Sequence, residues 1–228
     1  MAKQKVYAIK NGIDPKTKEP VTNLILEDTW DEVEKYTKGV SGAIFEGFIT
    51  KQEAEDFLND NTDSFDSKED NALYCYVDGS FNKNIPNYGY GLVCVQNANV
   101  IFTDRGPGTN KSAITMYQIG GELLGAMKAL IFAKNNNYSK VYICHDYFGV
   151  AHHATGRWKR NNKFSEDYYK WMQKFFKTYP DIKVSFKKVK SHSGNKFNEL
   201  ADGLAKLAVN IKPDTTFYEY ADKYAVSH

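Results

Sequence analysis

A chain of 228 residues with 42% hydrophobic and 14% aromatic side chains can bury the core of one ordinary domain and a smaller one, which excludes a disordered or fibrous protein. No apolar run approaches the roughly 18 residues of a membrane span, and no apolar stretch follows Met1 to Lys5, so neither a membrane protein nor a secretion signal is expected and the cytoplasm is the default location. The net charge of +2 conceals an asymmetry: residues 1–71 hold 9 Lys against 16 Asp and Glu, a balance of −7, and the remainder stands at +9, so the second part is the one to suspect of meeting phosphates, although many solvated surfaces carry such an excess.

In chain order, Lys5 to Lys10 reads as a strand, Pro15 and Pro20 with the polar residues between them as an inserted loop, Trp30 to Tyr36 as a short helix, Ala43 to Phe48 as a strand and Gln52 to Leu58 as a second helix. These make a small α/β domain over residues 1–58. Residues 59–71 are polar, acidic and poor in large apolar side chains, and are expected to be a linker. Beyond it Leu73, Cys75 and Val77 alternate with Tyr74, Tyr76 and Asp78, and strand patterns at Tyr88–Gln96 and Val100–Asp104 complete an expected antiparallel meander. A helix over about Ile119–Ala133, a strand at Val141–Cys144, a helix marked by Tyr168, Trp171, Phe175 and Tyr179, a strand at Lys183–Val189 and a last helix bearing Leu200, Leu204 and Leu207 follow. The order β-β-β-α-β-α-β-α implies a mixed sheet flanked by helices. Residues 211–228 form an extension with an aromatic segment, Phe217 to Tyr220, whose role the pattern does not reveal. The three cysteines, Cys75, Cys94 and Cys144, lie in alternating apolar segments without metal-ligand spacing and read as reduced core residues.

Four acids in the second part stand where a structural role is awkward. Asp78 and Asp146 each end an apolar strand, Glu122 sits near the start of an apolar helix, and Asp202 interrupts the apolar face of the last helix. Singly, such acids serve as helix caps, dipole partners or turn residues, and for Glu122 and Asp146 alone that reading is the better one. Together, Tyr76-Val-Asp-Gly-Ser80, Gly121-Glu-Leu-Leu-Gly-Ala126, His145-Asp146 and the run Lys190-Ser-His-Ser-Gly-Asn-Lys-Phe-Asn-Glu-Leu-Ala-Asp202 resemble the successive motifs of the type 1 ribonuclease H family, in order, spacing and placement on strands and helices, over residues 72–210. The most specific is the last, with its His ten residues before an Asp.

The resemblance implies an α/β fold, a ribonuclease H-like mixed five-stranded sheet flanked by helices and preceded by the small α/β domain. It implies an endonuclease that hydrolyses the RNA strand of an RNA–DNA hybrid, with Asp78, Glu122, Asp146 and Asp202 holding two Mg²⁺, Mn²⁺ being a possible substitute, and His192 assisting proton transfer or product release. The chemistry agrees: hard cations take oxygen ligands, two of them can activate water and stabilise the phosphate and leaving oxygen, and clustered carboxylates are costly without a cation. His192 without its spacing to Asp202 would read as an exposed loop histidine, and the adjacent His152 and His153, unable to share one helix face, are expected at the surface. Ser80, Gln118 and Asn198 are candidate substrate contacts; Gln118 stands where members often carry Asn, and Asn198, one turn before Asp202, could instead cap the helix. Phe148 replaces an amide present in some members. The basic loop around Trp158 and Lys159 could hold DNA phosphates or be an exposed charged connection.

Residues 5–58 resemble the small hybrid-binding domain found ahead of many such nucleases and in a caulimovirus inclusion-body protein, carried by Val6-Tyr-Ala, Trp30, Lys38-Gly39, Gly42-Ala43, Phe45, Phe48 and Glu53-Ala54. Trp30, Phe45 and Lys38 are the candidate nucleic-acid contacts, with Trp30 and Phe45 as core residues the alternative. The acidic balance of this domain works against phosphate binding and leaves a protein partner open as another occupant. A monomer is expected. The rival functions are a same-fold nuclease preferring double-stranded RNA or junctions, and a non-catalytic nucleic-acid-binding protein.

Overall fold

The computed structural model describes residues 5–48, 51–59, 71–189 and 194–227, in two compact units, Met1–Phe65 and Asp66–His228. The expected acidic linker falls, at residues 60–70, outside the described residues.

In the first unit β1 (Lys5–Ile13) is central, pairing antiparallel with β3 (Leu24–Asp28) on one side and β4 (Ile44–Phe48) on the other, while the two-residue β2 (Pro20–Val21) pairs with its end. The loop expected between Pro15 and Pro20 is a hairpin turn, in which the Asp14 carboxylate accepts from the backbone N–H of Lys16 and Thr17 at 2.7 and 3.1 Å. Strand β3 was not apparent in the sequence. Leu24, Ile25 and Leu26 are all half-buried and show no two-residue alternation, so only pairing with β1 identifies them. Helix α1 (Trp30–Thr37) has Asp31 and Glu32 in its first turn and Lys35 in its last, complementing its dipole, and α2 (Lys51–Asn59) buries Ala54 against the strands with Val6, Ala8 and Phe48.

The second unit is built on a five-stranded sheet of order β7-β6-β5-β8-β9. Strands β5 (Leu73–Asn82), β6 (Asn87–Gln96) and β7 (Asn99–Pro107) form the antiparallel meander, and β8 (Lys140–His145) and β9 (Lys183–Lys188) add in parallel. Helices α3 (Gln118–Asn135), α5 (Lys163–Thr178) and α6 (Lys196–Ala208) occur where periodicity placed them. Three further elements do not follow from periodicity because they are short: a 3₁₀ turn at Lys111–Met116, α4 (Gly149–Thr155) and α7 (Thr215–Tyr224). The buried rings and aliphatics of β5 and β6 meet Leu123, Ala126 and Leu130 of α3 and Tyr168 and Met172 of α5 in one core. Cys75, Cys94 and Cys144 are buried and form no disulfide.

His152 and His153 are both buried, against the surface position expected of them. Their helix α4 is fastened to α5 by the Tyr168 hydroxyl donating to Val150 O (3.1 Å) and Gln173 Nε2 to Ala154 O (2.9 Å), and the Trp158 ring folds over both imidazoles at 4.9 and 5.7 Å. Adjacent positions on a two-turn helix are both covered when it lies between a neighbouring helix and a returning loop. The extension also acquires a place: Phe217 of α7 is buried against Gly203 of α6, where a Cβ would fall 2.0 Å from its ring.

Glycines let the helices approach the sheet closely enough to bring acids together. Asp78 pairs with Gly91 across the β5–β6 ladder, so the two share a face, and the next residue, Gly79, belongs to the other. A Cβ at Gly91 would lie 2.0 Å from Ala201 O of α6, one at Gly79 1.9 Å from Gln118 O of α3, and one at Gly121 2.0 Å from Gly89 O. Helices α3 and α6 therefore press on opposite faces of the strand that carries Asp78. All three obstructions are backbone atoms that no rotamer change can move. Gly121→Ala should accordingly destabilise the protein by about 1–3 kcal/mol or more through overpacking, read as a lower midpoint in urea denaturation; an unchanged midpoint would show that α3 does not sit this close to β6.

Candidate active site

Two of the acids come together through strand register. In the parallel β5–β8 pair Tyr76 is opposite Cys144, and continuing two residues sets Asp78 beside Asp146; Asp146 directly follows the end of β8, whereas Asp78 lies in the middle of β5, which runs on to Asn82 instead of ending at the acid as the sequence suggested. Glu122, in the second turn of α3, is brought to them by the Gly79 and Gly121 contacts. One carboxylate oxygen each from Asp78, Glu122 and Asp146 lies within 4.8 Å of the others. Asp202, on α6, is outside that close group. Its carboxylate is paired with Lys206 one turn on, at 2.7 Å, and it acts electrostatically on Asp78.

The electrostatics are those of unneutralised acids. Burial, followed by the charges of Asp146 and Asp202, raises the Asp78 carboxyl well above the usual range, against the Gly79 N–H (2.7 Å) and Lys206. Glu122 is raised by burial, then by Asp78 and Asp146, with Lys188 and the Tyr147 backbone N–H opposing. The Oε2 atom of Glu122 is buried with no hydrogen-bond partner among the described residues. An all-oxygen, strongly anionic donor set with an orphaned buried oxygen fits a hard divalent cation. Next to this group, burial pushes the His145 imidazole down to about 3, so it is neutral.

The remaining sequence candidates are dispersed. His192 lies outside the described residues. Ser80 is buried and Gln118 exposed, and both line a recess of about 500 Å³ with Gly79, Phe81, Lys83 and Tyr117. Asn198 is 3% exposed with its Oδ1 unpartnered among the described residues, and the cap of α6 is Asn195, which accepts from Phe197 N and Asn198 N. Trp158 is half-buried, its ring engaged with Tyr147, His152 and His153, while Lys159 beside it is exposed. Phe148 lies under the Lys188 ammonium at 4.8 Å. In the first unit Trp30 is 40% exposed, against core burial, and its ring is flanked by Tyr7 (5.9 Å) and Phe45 (5.4 Å); Lys38 is directed to Glu34 at 3.7 Å.

Two cations that moderate the acids, Lys188 and Lys206, were missed in the sequence. Lys206 carries a readable signal, the i,i+4 spacing from Asp202. Lys188 has none, because its influence on Glu122 runs between non-adjacent segments. Burial works against the Lys206 charge, but bonds to Asp202 and Asp214 outweigh it and raise its ammonium above the ordinary value.

A family model described as RNase H matches residues 70–210, and one described as Ribonuclease H1 N-terminal domain matches residues 27–58. Among solved structures the chain is similar to RNase H1 from Halobacterium salinarum, at 18% identity and a TM-score of 0.51, covering 61% of this chain and 98% of that one. It is also similar to the N-terminal RNase H domain of a Mycobacterium tuberculosis protein, at 18% identity and a TM-score of 0.50, covering 67% and 97%. A ribonuclease H domain from Desulfitobacterium hafniense shares 37% identity over 64% of this chain and 93% of that one, with a TM-score of 0.31. No curated protein sequence matches the chain.

Because Asp78 is raised by burial and by its acidic neighbours, its ionisation opposes folding when no cation is present. Below about pH 4 the carboxyl is neutral in both states and makes no difference; as pH rises the unfolded chain ionises first, and the metal-free protein loses stability. Asp78→Asn cannot ionise. In chelator it should melt a few degrees above the parent protein at pH 7, at about 2–4 °C per kcal/mol for a domain of this size, with the gap closing toward pH 4. Added Ca²⁺ should raise the melting temperature of the parent and leave the variant nearly unmoved. A variant that melts lower than the parent in chelator at pH 7 contradicts the repulsion.

Proposed function

The chain belongs to the RNase H family and is a metal-dependent ribonuclease H, an enzyme acting on the RNA strand of RNA–DNA hybrids, with a ribonuclease H1 amino-terminal domain; from this we propose that it works by two-metal-ion catalysis on Asp78, Glu122, Asp146 and Asp202, leaving 5′-phosphate and 3′-hydroxyl ends. The observation that carries the reading is the convergence of Asp78, Glu122 and Asp146 within one ion's reach, with a buried carboxylate oxygen of Glu122 unpartnered among the described residues. Asp78, central among the acids, would be shared between the two ions; Glu122 and Asp146 would complete one site and Asp202 the other. Bound Mg²⁺, or Mn²⁺ in its place, would supply there a nucleophilic water and charge neutralisation on the phosphate and the leaving 3′-oxygen.

The chain's own groups do the rest. Asp78 is fixed by its strand and by the Gly79 N–H, so its carboxylate is oriented before any ion arrives. Ser80 and Gln118, at the recess beside Asp78, would orient the RNA strand, the longer Gln118 reaching a ribose hydroxyl by hydrogen bonding. Asn198, buried one turn before Asp202 with its Oδ1 unpartnered among the described residues, is a second candidate contact. Lys159 would meet phosphate, and Trp158, engaged with the histidines of α4, would serve chiefly to hold that loop. His192 would accept or return a proton during product release.

For the first unit, exposure of Trp30 beside Phe45 and Tyr7 supports a stacking contact to the hybrid, with Lys38 toward phosphate. The net acidity of residues 1–58, 8 Lys against 11 Asp and Glu, limits its strength. We further propose that the enzyme is a cytoplasmic monomer.

The direct test is cleavage of end-labelled hybrid, double-stranded RNA and double-stranded DNA in Mg²⁺, Mn²⁺ or chelator. Hybrid alone should be cut, only with a metal, to 5′-phosphate products; preferred cutting of double-stranded RNA would replace the substrate assignment. Asp78→Asn should be inactive, whereas His192→Ala should lose about 10²–10⁴-fold and no more, since water can partly replace a proton carrier. If the two are equally dead, the role given to His192 is wrong. Trp30→Ala, checked by circular dichroism, should reduce hybrid affinity of the full chain to that of the 72–228 fragment; equal affinity of all three proteins would mean that the first unit serves another partner.

A further inference from the structure

Lys206 stands between two carboxylates. Its Nζ is 2.7 Å from Asp202 Oδ2 and 2.6 Å from Asp214 Oδ2, and its side chain is about 20% exposed. Asp202 and Lys206 are one turn apart on α6. Asp214 comes from beyond the catalytic motifs, at the N-cap position of α7, and the burial of Phe217 against Gly203 fixes α7 to α6. Asp214 makes no side-chain capping hydrogen bond to its own helix. Its Oδ2 instead meets the Lys206 ammonium.

This arrangement bears on the acid that stands apart from the close group of three. A divalent cation on Asp202 and an ammonium on the same carboxylate repel each other at short range, in a setting less screened than bulk water. The lysine stem is flexible and its three donors can be redistributed. Asp214 offers the ammonium a carboxylate that is already in contact and is not itself among the site acids.

We infer that Asp214 is a positioning residue that draws Lys206 off Asp202 as a divalent cation binds, so that the carboxyl-terminal helix sets the metal affinity of the Asp202 site. The inference rests on the reading of Asp202 as a metal ligand. Removing the Asp214 charge leaves Lys206 to Asp202 and strengthens the competitor; removing the Lys206 charge abolishes the competitor.

The test is Mn²⁺ binding to the full chain without nucleic acid, followed by the electron paramagnetic resonance of free Mn²⁺, for the parent protein, Asp214→Asn, Lys206→Met, the double variant and Asp202→Asn. Asp214→Asn should weaken the lower-affinity Mn²⁺ by about two- to fivefold and Lys206→Met should tighten it by a similar factor, the range expected of a partly exposed ion pair. Simple long-range attraction would also give opposite signs, and the double variant separates the two cases. If Asp214 acts through Lys206, Asp214→Asn has no further effect once Lys206 is Met; equal effects in both backgrounds, or a silent Asp214→Asn, overturn the inference. In cleavage assays Asp214→Asn should raise the Mg²⁺ concentration for half-maximal rate and leave the rate at saturating Mg²⁺ near the parent's, a split that a loss of α7 packing would not produce. Asp202→Asn distinguishes the two levels: if it changes neither Mn²⁺ binding nor cleavage, the ligand reading itself fails, whereas an impaired Asp202→Asn with a silent Asp214→Asn leaves that reading standing and removes only the role of Asp214.

Discussion

Like charges forced together are the constraint around which the catalytic unit is organised. Asp78, Glu122 and Asp146 converge although burial and mutual repulsion raise both Asp78 and Glu122. Their convergence comes from the backbone: the parallel register of β5 on β8 aligns two of them, and the backbone contacts of Gly79 and Gly121 bring in the third. The energy that holds the acids in place comes from the apolar core of β5, β6, α3 and α5, and the site stores an electrostatic penalty that a cation relieves. Rigid placement with unfavourable charge is what gives such a site its affinity for a hard ion without prior rearrangement.

The two cations near the acids are arranged differently. Lys188 ends β9, lies over the Phe148 ring and acts on Glu122 through space, so it lowers the repulsion without occupying the cluster. Lys206 makes a direct ion pair with Asp202, and a second with Asp214. The fourth acid is thus held by a protein cation in the same geometry that leaves the other three facing one another. The recess lined by Gly79, Ser80 and Gln118 also holds Tyr117, whose ring meets Phe81 edge-on at 4.9 Å.

The first unit follows another logic. It buries Ala8 and Ile9 of β1 and Val33 of α1, small or aliphatic residues, and leaves the large Trp30 ring partly in solvent beside Tyr7 and Phe45. The 40% exposed Trp30 ring, supported on two others, is the surface feature on which the proposed stacking contact would rest. The same unit is net acidic, so whatever affinity it has for a polyanion must come from stacking more than from charge.

By itself the sequence determined the catalytic unit's strands and its three long helices and marked the four acids as candidates, because alternation and helical periodicity report which side chains face a core, and because charged residues in apolar patterns are visible without coordinates; the close grouping of Asp78, Glu122 and Asp146 was decided in space. It also carried the family, through motif order and spacing. Strand β3, the turn at Lys111–Met116 and α4 were not legible, since short or non-alternating segments owe their conformation to a neighbour. The burial of His152 and His153 and the docking of α7 were equally hidden, depending on Trp158 and Gly203, which no local pattern connects to them. The cation pairing at Asp202 was half visible, in the spacing of Lys206, and half decided in space, where Asp214 arrives from another helix. Local periodicity is encoded residue by residue, but the distance between charges on different elements exists only once the sheet register and the glycine contacts have set it.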